Sequence, residues 1–374
     1  MSIAGPTSFG FLDGGGKMGA LMRAHDWSRS PLGPPACWPD TLKAAVATCL
    51  ASRFPMVVWW GPDLIMLYND AWQPILGETK HPAGLGRPGA DSWPETWPMV
   101  GRQFEDALKG NASWSENLLL ASDRRGFLEE CYFTYSHSPL RDAAGKVVGV
   151  QTAVIETTDR VLSERRLLIL RDLSKARVEA TYQGEAVERT CEALLGRLCN
   201  GNADIPFAAL YSSEDGIRAH LICCRGIDKS LLPATIAAVD HDPWGIAEVL
   251  RKGAPAFSRH PRPLPGGAWP EPTHQMVALP LGGKGPASAL LGVILVGVNS
   301  RLSLDEPYMD FLNLIAAELA GSISTIQSVK KGNRGPRRTQ KGGSGTSRQR
   351  GATCRRGHGA EEAARFQHPA LANT

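Results

Sequence analysis

The sequence lacks any run of about 18 apolar residues, the length a helix needs to cross a bilayer. Its start, MSIAGPTSFGFLDGGGK, has no basic segment followed by an apolar stretch, so no secretory signal is expected. Cysteine is sparse, eight in 374 residues with no C-x-x-C pair, which excludes a disulfide scaffold and predicts buried free thiols in a reducing cytoplasm. The nine histidines do not recur at metal-ligand spacing, and none pairs with a cysteine at a zinc-like interval. No Ser/His/Asp ordering stands out as a catalytic set. What is present is ordinary for a globular chain. Hydrophobic residues make up 43% and charged residues 21%, which excludes collagen-like, coiled-coil-only and wholly disordered classes. The net charge of +4 is an average of two unlike parts. From Lys330 onward eleven Lys and Arg face two Glu, a net of +9, which leaves −5 for residues 1–329. A mildly acidic body gives no sign of nucleic-acid binding.

Composition divides the chain into a Gly/Pro-rich segment 1–37, a region 38–160, a region 161–328 and a basic tail 329–374 expected to be disordered. In region 38–160, Leu42, Ala45, Val46, Cys49 and Leu50 share one helix face, with Asp40 as its expected cap. Two strands are expected at Met56–Trp60 and Leu64–Tyr68, joined by Gly61-Pro62-Asp63. Asp70 is expected to cap a short helix that ends at Gly77. A helix from Pro94 places Trp97, Val100, Phe104 and Leu108 on one side, and a strand follows with Trp114, Glu116 and Leu118. The run Phe127–Ser138 alternates as one strand, and Arg141–Gly145 turns it into another at Lys146–Glu156. This order predicts an antiparallel sheet with helices on one side.

Region 161–328 repeats the plan. Helices are expected over 161–177 and 184–198, and strands at Phe207–Tyr211, Arg218–Cys224, Val277–Leu281 and Ala289–Val298. A short helix Trp244–Lys252 ends at Gly253. A long amphipathic helix spans 307–325, with Phe311, Leu314, Ile315, Leu319 and Ile323 on one face. The fold class is therefore α+β, with two antiparallel-sheet domains joined by a helix. The flanking helices 161–177 and 307–325 are suited to pair with a second copy in a homodimer.

Tyr68-Asn69-Asp70-Ala71, then Ile75-Leu76-Gly77, and later Ser138-Pro139-Leu140-Arg141-Asp142, Gly145-Lys146-Val147-Val148-Gly149-Val150 and Glu156-Thr157-Thr158-Asp159-Arg160 occur in order. Together they resemble a PAS domain over residues 50–160. In that family the Asn-Asp-Ala step ends the second strand, the Val-Val-Gly hairpin closes the sheet, and Asp-Arg leads into a signalling helix. Residues 165–325 resemble a GAF domain, through Pro206–Tyr211, Leu279-Pro280-Leu281 and Leu291–Gly297. With Leu32-Gly33-Pro34-Pro35 and Trp38-Pro39 at the entrance, the chain looks like the sensory front of bacterial PAS–GAF hybrid histidine kinases. In those kinases a dimerisation helix carries a phosphoacceptor His followed by Glu, and an ATP-binding domain follows. None of the nine histidines here precedes a Glu, and no ATP motif follows Lys331. The expectation is a sensor truncated before the kinase core and not itself an enzyme.

Candidate residues follow from that reading. Met56, Val58, Tyr68, Trp72, Phe104 and Tyr132 are pocket candidates in the first domain, and His241, between Asp240 and Asp242, in the second. Tryptophan is plentiful, and Trp59, Trp60, Trp72, Trp93, Trp97 and Trp114 cluster in the first domain, either as core or as pocket wall. His137 is expected to pack or to point to solvent rather than to ligate haem. No flavin-reactive Asn-Cys-Arg setting and no bilin-type Cys beside His is present, so no haem, flavin or bilin is expected. Glu129-Glu130 within a strand must put one carboxylate inward. The simpler reading is a solvated edge strand; the alternative is a carboxylate that meets a ligand or an arginine. The expected function is cytoplasmic signal sensing of two-component type. Its partners would be a small-molecule ligand and a kinase or response regulator, with no membrane contact. Two alternatives are a histidine kinase whose catalytic half is missing from this chain, and nucleic-acid association through the basic tail. The tail is also read as the product of a shifted reading frame.

Overall fold

The apolar residues that the sequence spaces for one helix face, Leu42, Ala45, Val46, Cys49 and Leu50, are all buried, and the first core forms around them. The structure is a computed structural model and describes residues 9–183, 187–199, 201, 203–282 and 290–332. The tail 333–374 and the expected start of the helix at 184–186 lie outside the described residues.

The first half runs α1 (Gly16–Ala24), α2 (Asp40–Ala51), β1 (Met56–Trp60), β2 (Ile65–Tyr68), α3 (Gln73–Lys80), α4 (Gly89–Ser92), α5 (Trp97–Leu108), β3 (Ser113–Leu119), β4 (Ser122–Asp123), β5 (Leu128–Glu129), β6 (Tyr132–Arg141) and β7 (Val147–Glu156). Five strands form an antiparallel sheet in the order β2-β1-β7-β6-β3, and β4 pairs with β5 as a small ribbon. The last strand thus lies in the middle of the sheet, beside the first. Residues 9–37 join the same core through Leu12, Met18, Met22 and Trp27.

Two expected caps are corrected. Asp40 lies in the first turn of α2 and makes no capping bond; Pro39 occupies the cap position. Asn69, not Asp70, caps the turn that leads into α3, its Oδ1 accepting from Trp72 N at 3.2 Å. The Asp70 carboxylate instead accepts from Lys17 N and Met18 N at 2.9 and 2.6 Å, and so caps α1, an element distant in sequence. α3 kinks at Gly77, where φ is +66° and a Cβ would stand 2.5 Å from the Arg124 carbonyl. The expected strand Phe127–Ser138 is also broken. It divides into β5 and β6 at Glu130-Cys131, because Glu130 is drawn out of the ladder.

The second half runs α6 (Thr158–Gln183), α7 (Val187–Cys199), β8 (Ala208–Ser212), β9 (Arg218–Arg225), β10 (Thr235–Ala237), α8 (Ile246–Lys252), β11 (Ala256–Leu264), β12 (Thr273–Leu281), β13 (Gly292–Gly297) and α9 (Glu306–Gly332). Its sheet has the order β10-β9-β8-β13-β12-β11, antiparallel throughout. β13 is buried on both faces, Ile294 and Val296 toward one cluster and Val293 and Leu295 toward the other. α6, α7 and α9 supply Leu173, Leu195 and Ile315 to the first cluster, and α8 supplies Ile246 and Val249 to the second. β11 is absent from the sequence reading because Pro261 and Pro263 interrupt it, and proline is tolerated only where a strand lies at an edge. Leu314, placed by periodicity on the buried face of α9, is 53% exposed, and Leu312 is buried in the core instead.

Candidate functional site

A cavity lies between the first sheet and the helices that cover it. Its volume is about 70 Å³, and its surface is almost wholly apolar. Trp59 of β1, Tyr135 and His137 of β6, and Val154 of β7 form the floor. Trp72 and Ile75 come from the α3 side, Trp93 from the end of α4, and Trp97, Val100 and Phe104 from one stripe of α5. The stripe has helical spacing, so the sequence sets which α5 residues meet the sheet. The aromatic rings hold each other. Phe104 stacks on Trp97 at 5.1 Å and 11°, meets Trp59 edge-on at 5.0 Å, and lies 4.2 Å from the His137 ring.

The polar atoms of these residues are turned behind the apolar wall. Thr152 Oγ1 accepts from Trp59 Nε1 at 2.8 Å and is 2.6 Å from His137 Nδ1. Burial holds the His137 pKa down at about 4, so the ring is neutral at pH 7. His137 Nε2, Trp72 Nε1, Trp93 Nε1 and Ser122 Oγ are buried without a hydrogen-bond partner among the described residues. Behind the cavity residue Trp93, the Lys80 ammonium pairs with Glu95 and lies 4.4 Å from the Trp93 ring centre.

The strand that floors the cavity leads directly to a second cluster. Arg124 binds Glu129 Oε2 at 3.0 Å and Glu156 through both Nη atoms, at 2.8 and 3.1 Å. Glu156 ends β7, and its Oε1 accepts from Thr158 Oγ1, the first residue of α6. Glu130 is wholly buried and accepts from Arg165 Nη1 at 2.6 Å, from Tyr132 OH at 2.8 Å and from Asn299 Nδ2 at 3.0 Å. Arg165 also forks to Asp204, at 3.1 and 2.8 Å. Desolvation would lower its pKa, but the bonds and charges of Glu130 and Asp204 outweigh it and raise it. This clasp joins the first sheet, the helix α6 and the second domain. The edge-strand reading of Glu129 and Glu130 is therefore corrected: both are buried, and both pair with arginines.

Of the seven residues singled out in the sequence, Trp72 and Phe104 line the cavity. Met56, Val58, Tyr68, Tyr132 and His241 do not. Tyr68 is buried with its hydroxyl 2.8 Å from His81 Nδ1, and Tyr132 belongs to the clasp. His241 lies on an open depression of the second domain, beside Asp242, whose carboxylate caps α8 through Trp244 N and Ala247 N. Trp93 and Trp97, read in the sequence as either core or pocket wall, line the cavity, whereas His137 was missed as a cavity residue. Asp204 and Asn299 carry no sequence signal, because only the fold brings them to Glu130. Among the described residues there is no cluster of ligands fit for a metal ion, and no helix is long and apolar enough to cross a membrane.

No family model and no curated protein matches the sequence. Solved structures similar to part of the chain include GAF domains. One, from an Acinetobacter phosphoenolpyruvate-protein phosphotransferase, is 13% identical over 44% of this chain and 97% of its own, with a TM-score of 0.33. Another, from the Coxiella burnetii phosphoenolpyruvate-protein phosphotransferase, is 18% identical over 45% of this chain and 98% of its own, also at 0.33. A phycoerythrobilin-bound GAF domain from a cyanobacterial phytochrome is 12% identical over 43% of this chain and 96% of its own, at 0.32.

Proposed function

We propose that the chain is a signal-sensing protein of two-component type, with a PAS-like first domain and a GAF-like second domain, and with α6 carrying the signal between them. The observation that carries this reading is the apolar aromatic cavity on a sheet whose last strand runs into α6 through the Arg124–Glu156–Thr158 bonds. Further support comes from Asn69-Asp70-Ala71 at the end of β2, the hairpin at Asp142–Gly145 between β6 and β7, and Asp159-Arg160 at the start of α6. A small apolar molecule that prefers one arrangement of the cavity wall shifts the population of that arrangement. The shift reaches α6 as a change of orientation. The protein acts in the cytoplasm on a kinase or response regulator and transfers no phosphate itself, and no haem, flavin or bilin is assigned. A second copy of the chain is part of the proposal, since α6 exposes Leu167, Leu168 and Val178, and α9 exposes Leu314.

Native mass spectrometry of the full chain beside Val100→Phe, which fills the cavity, tests the reading. The wild-type chain is expected to retain a small molecule that the variant loses. The bare polypeptide mass from both would sink the small-molecule reading.

A further inference from the structure

The outer face of the first sheet, opposite the cavity, is bare over β7, β6 and β3. Side chains alternate along a strand, so each cross-strand row of the register stands on one face. One outer row runs Met56, Ala153, Ser136 and Trp114 across β1, β7, β6 and β3. The next pairs Ile155 with Thr134. Pro55 carries the pairing on, its carbonyl accepting from Val154 N at 3.1 Å, and brings Phe54 alongside Ile155. Phe54 and Trp114 are each 63% exposed, and Ile155 is 51% exposed. Val58, on the same face, is wholly buried, so the cover over β1 stops short of β7. Large apolar side chains thus stand at both sides of the face, and the small Ala153 and Ser136 lie between them. An exposed apolar patch of this kind marks an interaction surface.

Charge is divided across the same face. Glu116 is exposed on β3, beside the bulge where Asn117 N donates to Thr134 Oγ1 at 3.1 Å. Arg53 is exposed next to Phe54, at the opposite side. Neither makes an ion pair among the described residues, and the nearby Arg160 is engaged by Glu164 and Asn117. β1 and β3 are three strand spacings apart, about 14 Å, so Glu116 and Arg53 do not meet within one copy. A second copy turned about a two-fold axis along the strands lays its β3 over the first copy's β1. Trp114 of each copy then meets Phe54 and Ile155 of the other, and Glu116 faces Arg53, each contact occurring twice. We propose that this face seats a second copy of the chain in that arrangement. The same axis leaves both β7 strands running in one direction, so the two chains enter α6 at the same end. The proposal rests on the second copy in the sensing reading, and not on the cavity or its ligand.

Sedimentation of the full chain compares wild type, Glu116→Arg, Arg53→Glu and the double variant. Each single variant sets like charges opposite each other and is expected to raise the dimer dissociation constant by about tenfold or more. The double variant exchanges the two charges and is expected to recover most of that loss, which also shows that neither substitution harms the fold. An equimolar mixture of the two single variants is expected to form a mixed dimer, because both of its charge contacts are again opposite in sign. Single variants weakened by less than about tenfold, or no recovery in the double variant and the mixture, would overturn the proposal and give the face to a different partner. A wild-type chain that stays monomeric overturns it as well. Loss of the dimer in Leu167→Glu with Leu168→Glu, but in neither charge variant, would keep the second copy and remove this face. No ligand enters these measurements, so their failure leaves the cavity reading standing.

Discussion

His137 shows how one residue couples the cavity to solution conditions. Its ring is 3% exposed, packed between Phe104 and Tyr135 and bonded to Thr152. The folded ring titrates near pH 4 because burial penalises its charged form, whereas the unfolded ring titrates near 6.5. Between those values the unfolded chain binds a proton that the folded chain refuses. Stability from this group is therefore complete above about pH 6.5 and falls as the pH drops toward 4, by about 3 kcal/mol in all. Below pH 4 the folded ring is protonated too, and the loss stops. Denaturant unfolding of wild type and His137→Gln between pH 7.5 and 4 checks this. The wild type is expected to lose stability across that window relative to the variant, and equal slopes would refute the assignment. The sequence places this histidine on a strand. Its burial depends on α5, which brings Phe104 over it.

At the scale of elements, the joint around Asn69 decides how β1, β2, α2 and α3 meet. Asn69 Nδ2 donates to the carbonyl oxygens of Cys49, Ser52 and Phe54 at 3.1, 3.0 and 2.7 Å. Its Oδ1 accepts from Met56 N and Trp72 N. Only an amide offers donors and acceptors together in this shape. Asn69→Asp would set a buried carboxylate oxygen against three carbonyls, at a cost of about 3 kcal/mol. Chemical denaturation measures the loss, and a loss below about 1 kcal/mol would mean that the joint is looser than its geometry. The Asn-Asp step is legible in the sequence as a strand end. The division of labour between the two residues is not, because Asp70 serves an N-terminal helix more than fifty positions away. Similarly, alternation from Phe127 to Ser138 reads as one strand, yet two buried carboxylates with arginine partners break it at Glu130.

For the whole molecule, the two domains are joined through buried charge rather than through apolar contact alone. Glu130 meets Arg165, Asn299 and the backbone of Arg301, whose carbonyl accepts from Glu130 N at 3.0 Å. Arg301 in turn binds Glu271 through two bonds of 2.8 Å. Such a junction transmits orientation, since slippage would expose or unpair a charge. The outer surface of α6 carries two adjacent exposed leucines among its charged residues, Leu167 at 65% and Leu168 at 50% exposed. A homodimer is expected to bury them. Sedimentation of the full chain should show a dimer that Leu167→Glu with Leu168→Glu converts to monomer. A wild-type chain that is monomeric at every concentration tested would remove the second copy from the proposal.

The sequence by itself determined several of the local elements. Periodicity placed α2 with all five of its buried residues, β1 and β2 within a residue of their bounds, and α9 apart from Leu314. These features depend on spacing along the chain, which periodicity reads directly. Tertiary structure alone decided the cavity and the clasp. The cavity needs Trp59, Trp93 and His137 brought together from β1, the end of α4 and β6, and the clasp needs Glu130, Arg165, Asp204 and Asn299 from four separate segments. Their chemistry arises from burial and from partners distant in sequence, and neither is a property of local order.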